Sequence, residues 1–204
     1  CITVTGRTIA DNLKNVKWRD DQVVVRTADN PITPTGGVVG LQGNLAPDGG
    51  IVKVAGMKTL KFTGPARCFD SEDECFDAVS RQDYKDGDVL VIRYVGPKGA
   101  PGMPEMLDPT SRITTICRER GIVVGLMTDA RFSGGSVGLV IGHVGPEAAL
   151  GGPIALIENG DEITVDLTRN ELNCTELADP ATYERRKSAW DKVVADNGGV
   201  HPNC

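Results

Sequence analysis

"IVVGLMTDARFSGGSVGLVIGHV", residues 122–144, sets two apolar runs on either side of a polar, glycine-rich loop. The runs 122–127 and 139–144 have the length and β-branched content of buried strands. The loop between them, 128–138, carries one acid, one base, two serines and three glycines. A turn between two strands needs one glycine, or two, so this loop is built for more than reversal. Gly134 and Gly135 let a backbone approach a ligand, because no Cβ stands in the way. Successive N–H groups in such a turn can form a nest for an anion, and Ser133 places a hydroxyl beside it. The plainer reading is that Asp129 and Arg131 pair with each other and simply hold the loop.

Upstream, "KDGDVLVIRYV" (85–95) reads as a turn and a buried strand. It leads into a second unusual loop, "GPKGAPGMPEM" (96–106), with three glycines and three prolines in eleven residues. Such a loop is stiff. Its one carboxylate, Glu105, is either a charge near a helix N-terminus or a fixed ligand for a metal or a proton. The clearest helix follows, "DPTSRITTICRERG" (108–121), with Asp108 as cap, Pro109 at the first position and Gly121 as the stop. If the strands before the two loops are parallel neighbours, both loops open at one sheet edge, where ligands bind in α/β structures. Glu105 and Ser133 would then face one crevice.

Further out, Ile9, Leu13 and Val16 are spaced for one face of a short helix over 8–18, and "VVV" (23–25) is a strand candidate. Residues 29–50 are rich in Gly and Pro and read as an irregular segment. "IVKVA" (51–55), "LKFTG" (60–64), "PIALI" (153–157) and "EITVDL" (162–167) are read as strands, with "ENGD" (158–161) as a hairpin turn between the last two. Ser71 and Glu74 predict a capping box for a helix in 71–81, with Phe76 and Val79 inward. "GPEAALGGP" (145–153) starts a short helix after Pro146, and 179–195 forms the last helix. His143 is read as a buried, hydrogen-bonded histidine, and His201 as inert near a frayed end. Strands outnumber helices, with no clean βαβ alternation. The fold class expected is therefore mixed α/β: one domain over 1–204, on a curved or barrel-like mixed sheet flanked by helices. Residues 1–50 form its irregular lead-in, with a short helix.

The chain has 204 residues, 40% of them hydrophobic and 4% aromatic, so Val, Ile and Leu fill the core. A net charge of −6 with no basic tract argues against nucleic acid. No run of 18 apolar residues is present, so no membrane span is expected. Cys1, Cys68, Cys75, Cys117, Cys174 and Cys204 form no C-x-x-C pair, which disfavours a zinc site. Cys117, with Ile113 and Ile116, reads as packing. The scatter fits a reducing compartment. Starting at Cys1, the chain is expected to be a piece of a longer protein.

"GPKGAPGMPEM", "MTDARFSGGSVGLVIGHVGPEAALGGPIAL" (127–156) and "GDEITVDL" (160–167) together resemble the C-terminal domain of the dihydroxy-acid dehydratase and 6-phosphogluconate dehydratase family. The resemblance extends from "CITVTGRTIADNL" (1–13) to about residue 175. It implies the swivelling, β-barrel-like domain found in aconitase-type enzymes. It also implies a hydro-lyase that removes water from a 2,3-dihydroxy acid to give a 2-oxo acid, inactive as this fragment alone. Carried over, Glu105 matches the glutamate that reaches Mg²⁺, and Ser133 the serine that acts as alkoxide base. Gly134 and Gly135, with Ser133, match the substrate-carboxylate site. Ala130 departs from the glycine of many members. Mg²⁺ and an iron–sulfur cluster would be held mainly by an N-terminal domain, with no cluster ligand in this chain. The implied partners are that domain, the small-molecule substrate and a second copy in a homodimer. The implied location is the bacterial cytoplasm, or an organelle matrix in a eukaryote. "RFSGGSVGLVIGHVGPEA" lies nearer the branched-chain biosynthetic members than the phosphogluconate ones. Aldonic acid dehydratases are the alternative, and a non-catalytic anion- or partner-binding module is the rival of a different class.

Overall fold

A computed structural model describes residues 1–32, 36–54, 59–133 and 136–204. The chain forms two compact units, Cys1–Thr35 and Gly36–Cys204. In the first, α1 (Ile9–Leu13) starts at Thr8, whose hydroxyl accepts from Asp11 N while Asp11 accepts from Thr8 N. The helical face expected over 8–18 ends at Leu13 and buries nothing, with Ile9 and Leu13 each 54% exposed. The "VVV" strand does not form. Val23–Val25 are exposed and outside any strand, since a strand needs a partner ladder that β-propensity alone cannot supply.

The second unit holds one eight-stranded sheet. Its strands are β1 (Val38–Leu41), β2 (Gly49–Lys53), β3 (Lys61–Phe69), β4 (Val89–Ile92), β5 (Gly125–Thr128), β6 (Val140–Gly145), β7 (Glu162–Asp166) and β8 (Glu171–Cys174). They lie in the order β1-β2-β6-β5-β4-β3-β7-β8. The four central strands β3 to β6 run parallel, and the outer pairs are antiparallel. The two ends of the sheet meet where Gln42, just past β1, bridges Glu171 at the start of β8. The result is a nearly closed barrel, the mixed α/β form expected.

Alternation explains the burial. Val89 and Val91 of β4 point into the barrel, with Val52, Met127, Ile141, Ile163 and Leu172. Leu90 and Ile92 point outward and are covered by α2 (Glu72–Arg81) and α3 (Leu107–Arg120) through Cys75, Val79 and Ile113. A parallel strand covered on both faces reads as an unbroken apolar run, and β4 is buried at all four positions. The helices connect β3 to β4 and β4 to β5, so a βαβαβ run sits mid-sheet, contrary to the expected lack of alternation.

Several local expectations are corrected. Residues 29–50 are not wholly irregular, since β1 and the start of β2 lie inside them; glycines hide the period because they add no side chain to either face. "PIALI" is a 3-10 turn, Pro153–Leu156, with Pro at its start. The ENGD turn therefore joins no hairpin. The hairpin lies one strand later, through residues 167–170 between β7 and β8. Asp108 does not cap α3. Met106 holds that position in a left-handed conformation, and Pro109 falls inside the first turn. The helix does end at Gly121. Ser71 caps α2 by accepting from Glu74 N, while Glu74 returns to Asp70 N instead. Val79 is inward as expected, and Phe76 is half-buried beneath the Arg112 guanidinium. The last helix, α4, runs Pro180–Asp196 and is capped by Asp179. No helix among the described residues is long and apolar enough to cross a membrane.

Candidate active site

β4 and β5 are parallel, with Ile92 opposite Thr128. The loops that follow them therefore leave the barrel at the same edge. The second has a topological task as well. β5 and β6 are themselves parallel neighbours, so the chain must return the length of a strand before β6 can start. A parallel return takes about a dozen residues, and residues 129–139 span it with no helix among those described. This accounts for the length of the loop, though not for its serines or its paired glycines.

One carboxylate stitches the edge together. Asp129 accepts from Tyr94 N (3.1 Å), Val95 N (3.2 Å) and Ala148 N (3.0 Å). It is 2% exposed. Burial raises its pKa, and the three N–H donors oppose that rise. The expected Asp129–Arg131 pair is thus absent, because Asp129 turns inward while Arg131 turns outward. Arg131 instead bonds the Met103 carbonyl through Nε (3.0 Å) and pairs with Glu105 through Nη1 (2.9 Å). It is the physical link between the two loops. Sequence reading missed it because the pairing crosses from one strand connection to the next.

Past Arg131 the chain doubles back over the outside of the barrel. His143 N donates to the Ala130 carbonyl (2.7 Å). The loop lies so close to β6 that a Cβ at Gly142 would stand 3.3 Å from both the Ala130 oxygen and the Phe132 ring. Ala130 itself is fully buried in the apolar cluster beneath the helices. Ser133 opens a turn closed by Ser136 N donating to the Ser133 carbonyl (3.1 Å). Ser133 lines a cavity of about 190 Å³ with Val38, Ile51, Lys53, Phe132 and His143. Gly134 and Gly135, expected at the substrate carboxylate, lie outside the described residues.

The histidines differ from expectation. His143 is exposed, with φ 54°, and forms part of the cavity wall. His201 is not inert. It stacks on Tyr94 at 4.3 Å, with its Nε2 3.2 Å from the Tyr94 hydroxyl, which also accepts from Trp190 Nε1. Burial lowers the His201 pKa and pushes Tyr94 up to about 12.

A divalent oxygen-seeking cation such as Mg²⁺ needs carboxylate donors. Glu105 fits as one such donor: it is 44% exposed and carried on the stiff loop after β4. Among the described residues no three cysteines come together as ligands for an iron–sulfur cluster. Burial pushes Cys68 up to about 11 and Cys75 and Cys174 up to about 12, as expected of thiols packed in apolar surroundings. Among the described residues one trio of potential ligands gathers, Asp161, Cys174 and Glu176. Both Asp161 oxygens are already bound by the Arg186 guanidinium, so this trio belongs to an ion pair.

Comparison with known proteins points one way. The family model described as "Dihydroxy-acid/6-phosphogluconate dehydratase C-terminal" matches residues 23–202. The chain is 59% identical over 192 residues to a dihydroxy-acid dehydratase of Parvibaculum lavamentivorans, covering 93% of this chain and 33% of that protein. It is also 59% identical over 190 residues to dihydroxy-acid dehydratase 2 of Bradyrhizobium diazoefficiens, covering 93% of this chain and 32% of that one. The chain thus spans about a third of the length of the curated relatives it matches. A solved structure, Streptomyces coelicolor RraAS2, is 19% identical with a TM-score of 0.33, covering 67% of this chain and 75% of its own. That likeness is too slight to carry an argument.

Proposed function

The chain belongs to the dihydroxy-acid/6-phosphogluconate dehydratase family through that family's C-terminal domain, and from this premise we propose that it supplies half of a dehydratase active site. The reaction is removal of water from a 2,3-dihydroxy carboxylic acid to give a 2-oxo acid. The substrate class is that of branched-chain amino-acid biosynthesis, favoured by the named relatives. The observation that carries the reading is the Arg131 bridge. It ties the Glu105 loop to the loop of Ser133 at one barrel edge.

In this reading Ser133 Oγ, as alkoxide, takes the proton from C2. The electron pair left on C2 forms the C2–C3 double bond as hydroxide departs from C3. The resulting enol takes a proton at C3 and becomes the ketone. A serine hydroxyl is too weakly acidic to act unaided, and a bound Mg²⁺ would supply the charge that favours its ionised form. Glu105 would be this chain's donor to that ion. Arg131, by pairing with Glu105, keeps the carboxylate turned toward the Ser133 loop. Main-chain N–H groups of the loop would receive the substrate carboxylate. The remaining Mg²⁺ donors and any iron–sulfur cluster would come from an N-terminal domain outside this chain.

The test is Ser133→Ala in the complete enzyme, prepared without oxygen and assayed on dihydroxyisovalerate and a panel of aldonic acids. Turnover should fall by about 10²–10⁴, the usual contribution of a positioned proton-transfer group, with KM little changed. Near-normal turnover would place the base elsewhere, and a wild-type enzyme inert on every dihydroxy acid would sink the reading.

A further inference from the structure

β2 ends in Lys53, and strand alternation decides where its side chain goes. Val52 is fully buried inside the barrel. Ile51 and Lys53 therefore stand on the outer face, the face over which the Ser133 loop is folded. There the Lys53 ammonium donates to the Ser136 carbonyl at 2.5 Å. Ser136 is 5% exposed, and its own N–H closes the turn on the Ser133 carbonyl. The anchor and the Ser133 hydroxyl are thus linked through the Ser136–Ser133 main-chain bond. Both side chains also line the 190 Å³ cavity, whose other walls include Val38, Ile51 and Phe132.

A charge-assisted bond from an ammonium to a carbonyl is stronger and shorter than a neutral one. Here it acts where the loop has left the sheet. Other ties of the loop include Ala130 to His143 N, Arg131 to the Met103 carbonyl and Glu105, and the Thr114 hydroxyl to the Val137 carbonyl, a long contact at 3.4 Å. We propose that Lys53 is a positioning residue for the dehydration: its ammonium holds Ser136 against the barrel wall and, through the Ser136 N–H bond to the Ser133 carbonyl, sets where the Ser133 hydroxyl stands. The proposal rests on the reading of Ser133 as the base. It adds a residue from β2, 80 positions earlier in the chain, to a site otherwise built from the connections after β4 and β5.

Lys53→Met in the complete enzyme removes the charge and keeps the stem. The expected result is a fall in kcat of about 10²-fold, the scale of an ångström-sized misplacement, with KM within about threefold. Lys53→Arg should restore most of the loss. Amide exchange at Ser136 and Val137 should quicken in Lys53→Met alone. Unchanged kcat and exchange, or a raised KM with kcat retained, would overturn the proposal; the latter would make Lys53 a substrate ligand. If Lys53→Met does not fold, Lys53→Arg decides: folded protein with near-wild-type kcat supports the anchor, and one with a loss of about 10²-fold overturns it. If the wild type shows no dehydratase turnover, the base assignment fails, yet the exchange comparison still reads the anchor.

Discussion

Asp129 satisfies three main-chain N–H groups from two other segments at once. Asp129→Ala would leave those donors buried without their acceptor, at about 1–3 kcal/mol for each donor that water cannot reach. A total loss of roughly 3–5 kcal/mol is expected, lowering Tm by about 6–20 °C in a chain of this size. Asp129→Asn keeps one acceptor oxygen and should fall between. Thermal melts of the three proteins check the order, and an Ala variant as stable as wild type would refute the stitching role. The sequence shows an acid and a base two residues apart and invites pairing them. In an irregular loop two such side chains are free to point apart, and here each found a stronger partner from another connection.

At the scale of elements, the tail beyond α4 is where a short reading of the chain fails most. Residues 197–204 fold back so that His201 lies on Tyr94, and Asn203 donates to Asp70 (2.7 Å). The His201 pKa is lowered chiefly by burial; the Arg93 charge lowers it further and the Asp70 charge opposes. A lowered folded pKa means the neutral ring is the docked form. Its stabilising contribution is complete above the ordinary value of 6.5 and is lost as pH falls through the lower folded value. Trp190 stacks 5.9 Å from His201, so its fluorescence reports docking. In a Trp18→Phe background the Trp190 emission should change between pH 7.5 and 5, and His201→Gln should abolish that change. A pH-independent signal in the parent would show that the tail stays docked when protonated. Helices α2, α3 and α4 were legible because caps and period act within a few residues. β8 was not, because "ELNC" shows a strand only when β7 pairs with it.

For the whole molecule, the seam of the barrel is the decisive contact. Asn44 Nδ2 donates to the Cys174 carbonyl (2.7 Å) and Asn44 Oδ1 accepts from Cys174 N (2.8 Å). The side-chain amide thus imitates a strand partner where β1 has ended. Gly43 beside it lies so near β8 that a Cβ would meet the Leu172 oxygen at 2.1 Å. Asn44→Ala removes two half-buried hydrogen bonds and should cost about 2 kcal/mol, or roughly 4–8 °C in Tm. Amide protection at Leu172 and Cys174 should fall more than at Leu90 in the central sheet. A uniform loss of protection would mean that the seam does not open separately.

The sequence by itself determined the buried strands β4, β5 and β6, the three long helices, the stiff loop that carries Glu105 and the glycine-rich loop that carries Ser133. Each of these is written in neighbouring residues, through alternation, caps and ring constraints. It also held the motifs that mark the family. Only the tertiary structure decided that β5 and β6 run parallel, which makes the serine loop a return crossover as well as the proposed site. It alone joined Arg131 to Glu105, Lys53 to Ser136, and Asn44 to Cys174. Those pairs are 26, 83 and 130 residues apart, and nothing local encodes them. They follow from strand order and register, which emerge only when every apolar face finds its cover at once.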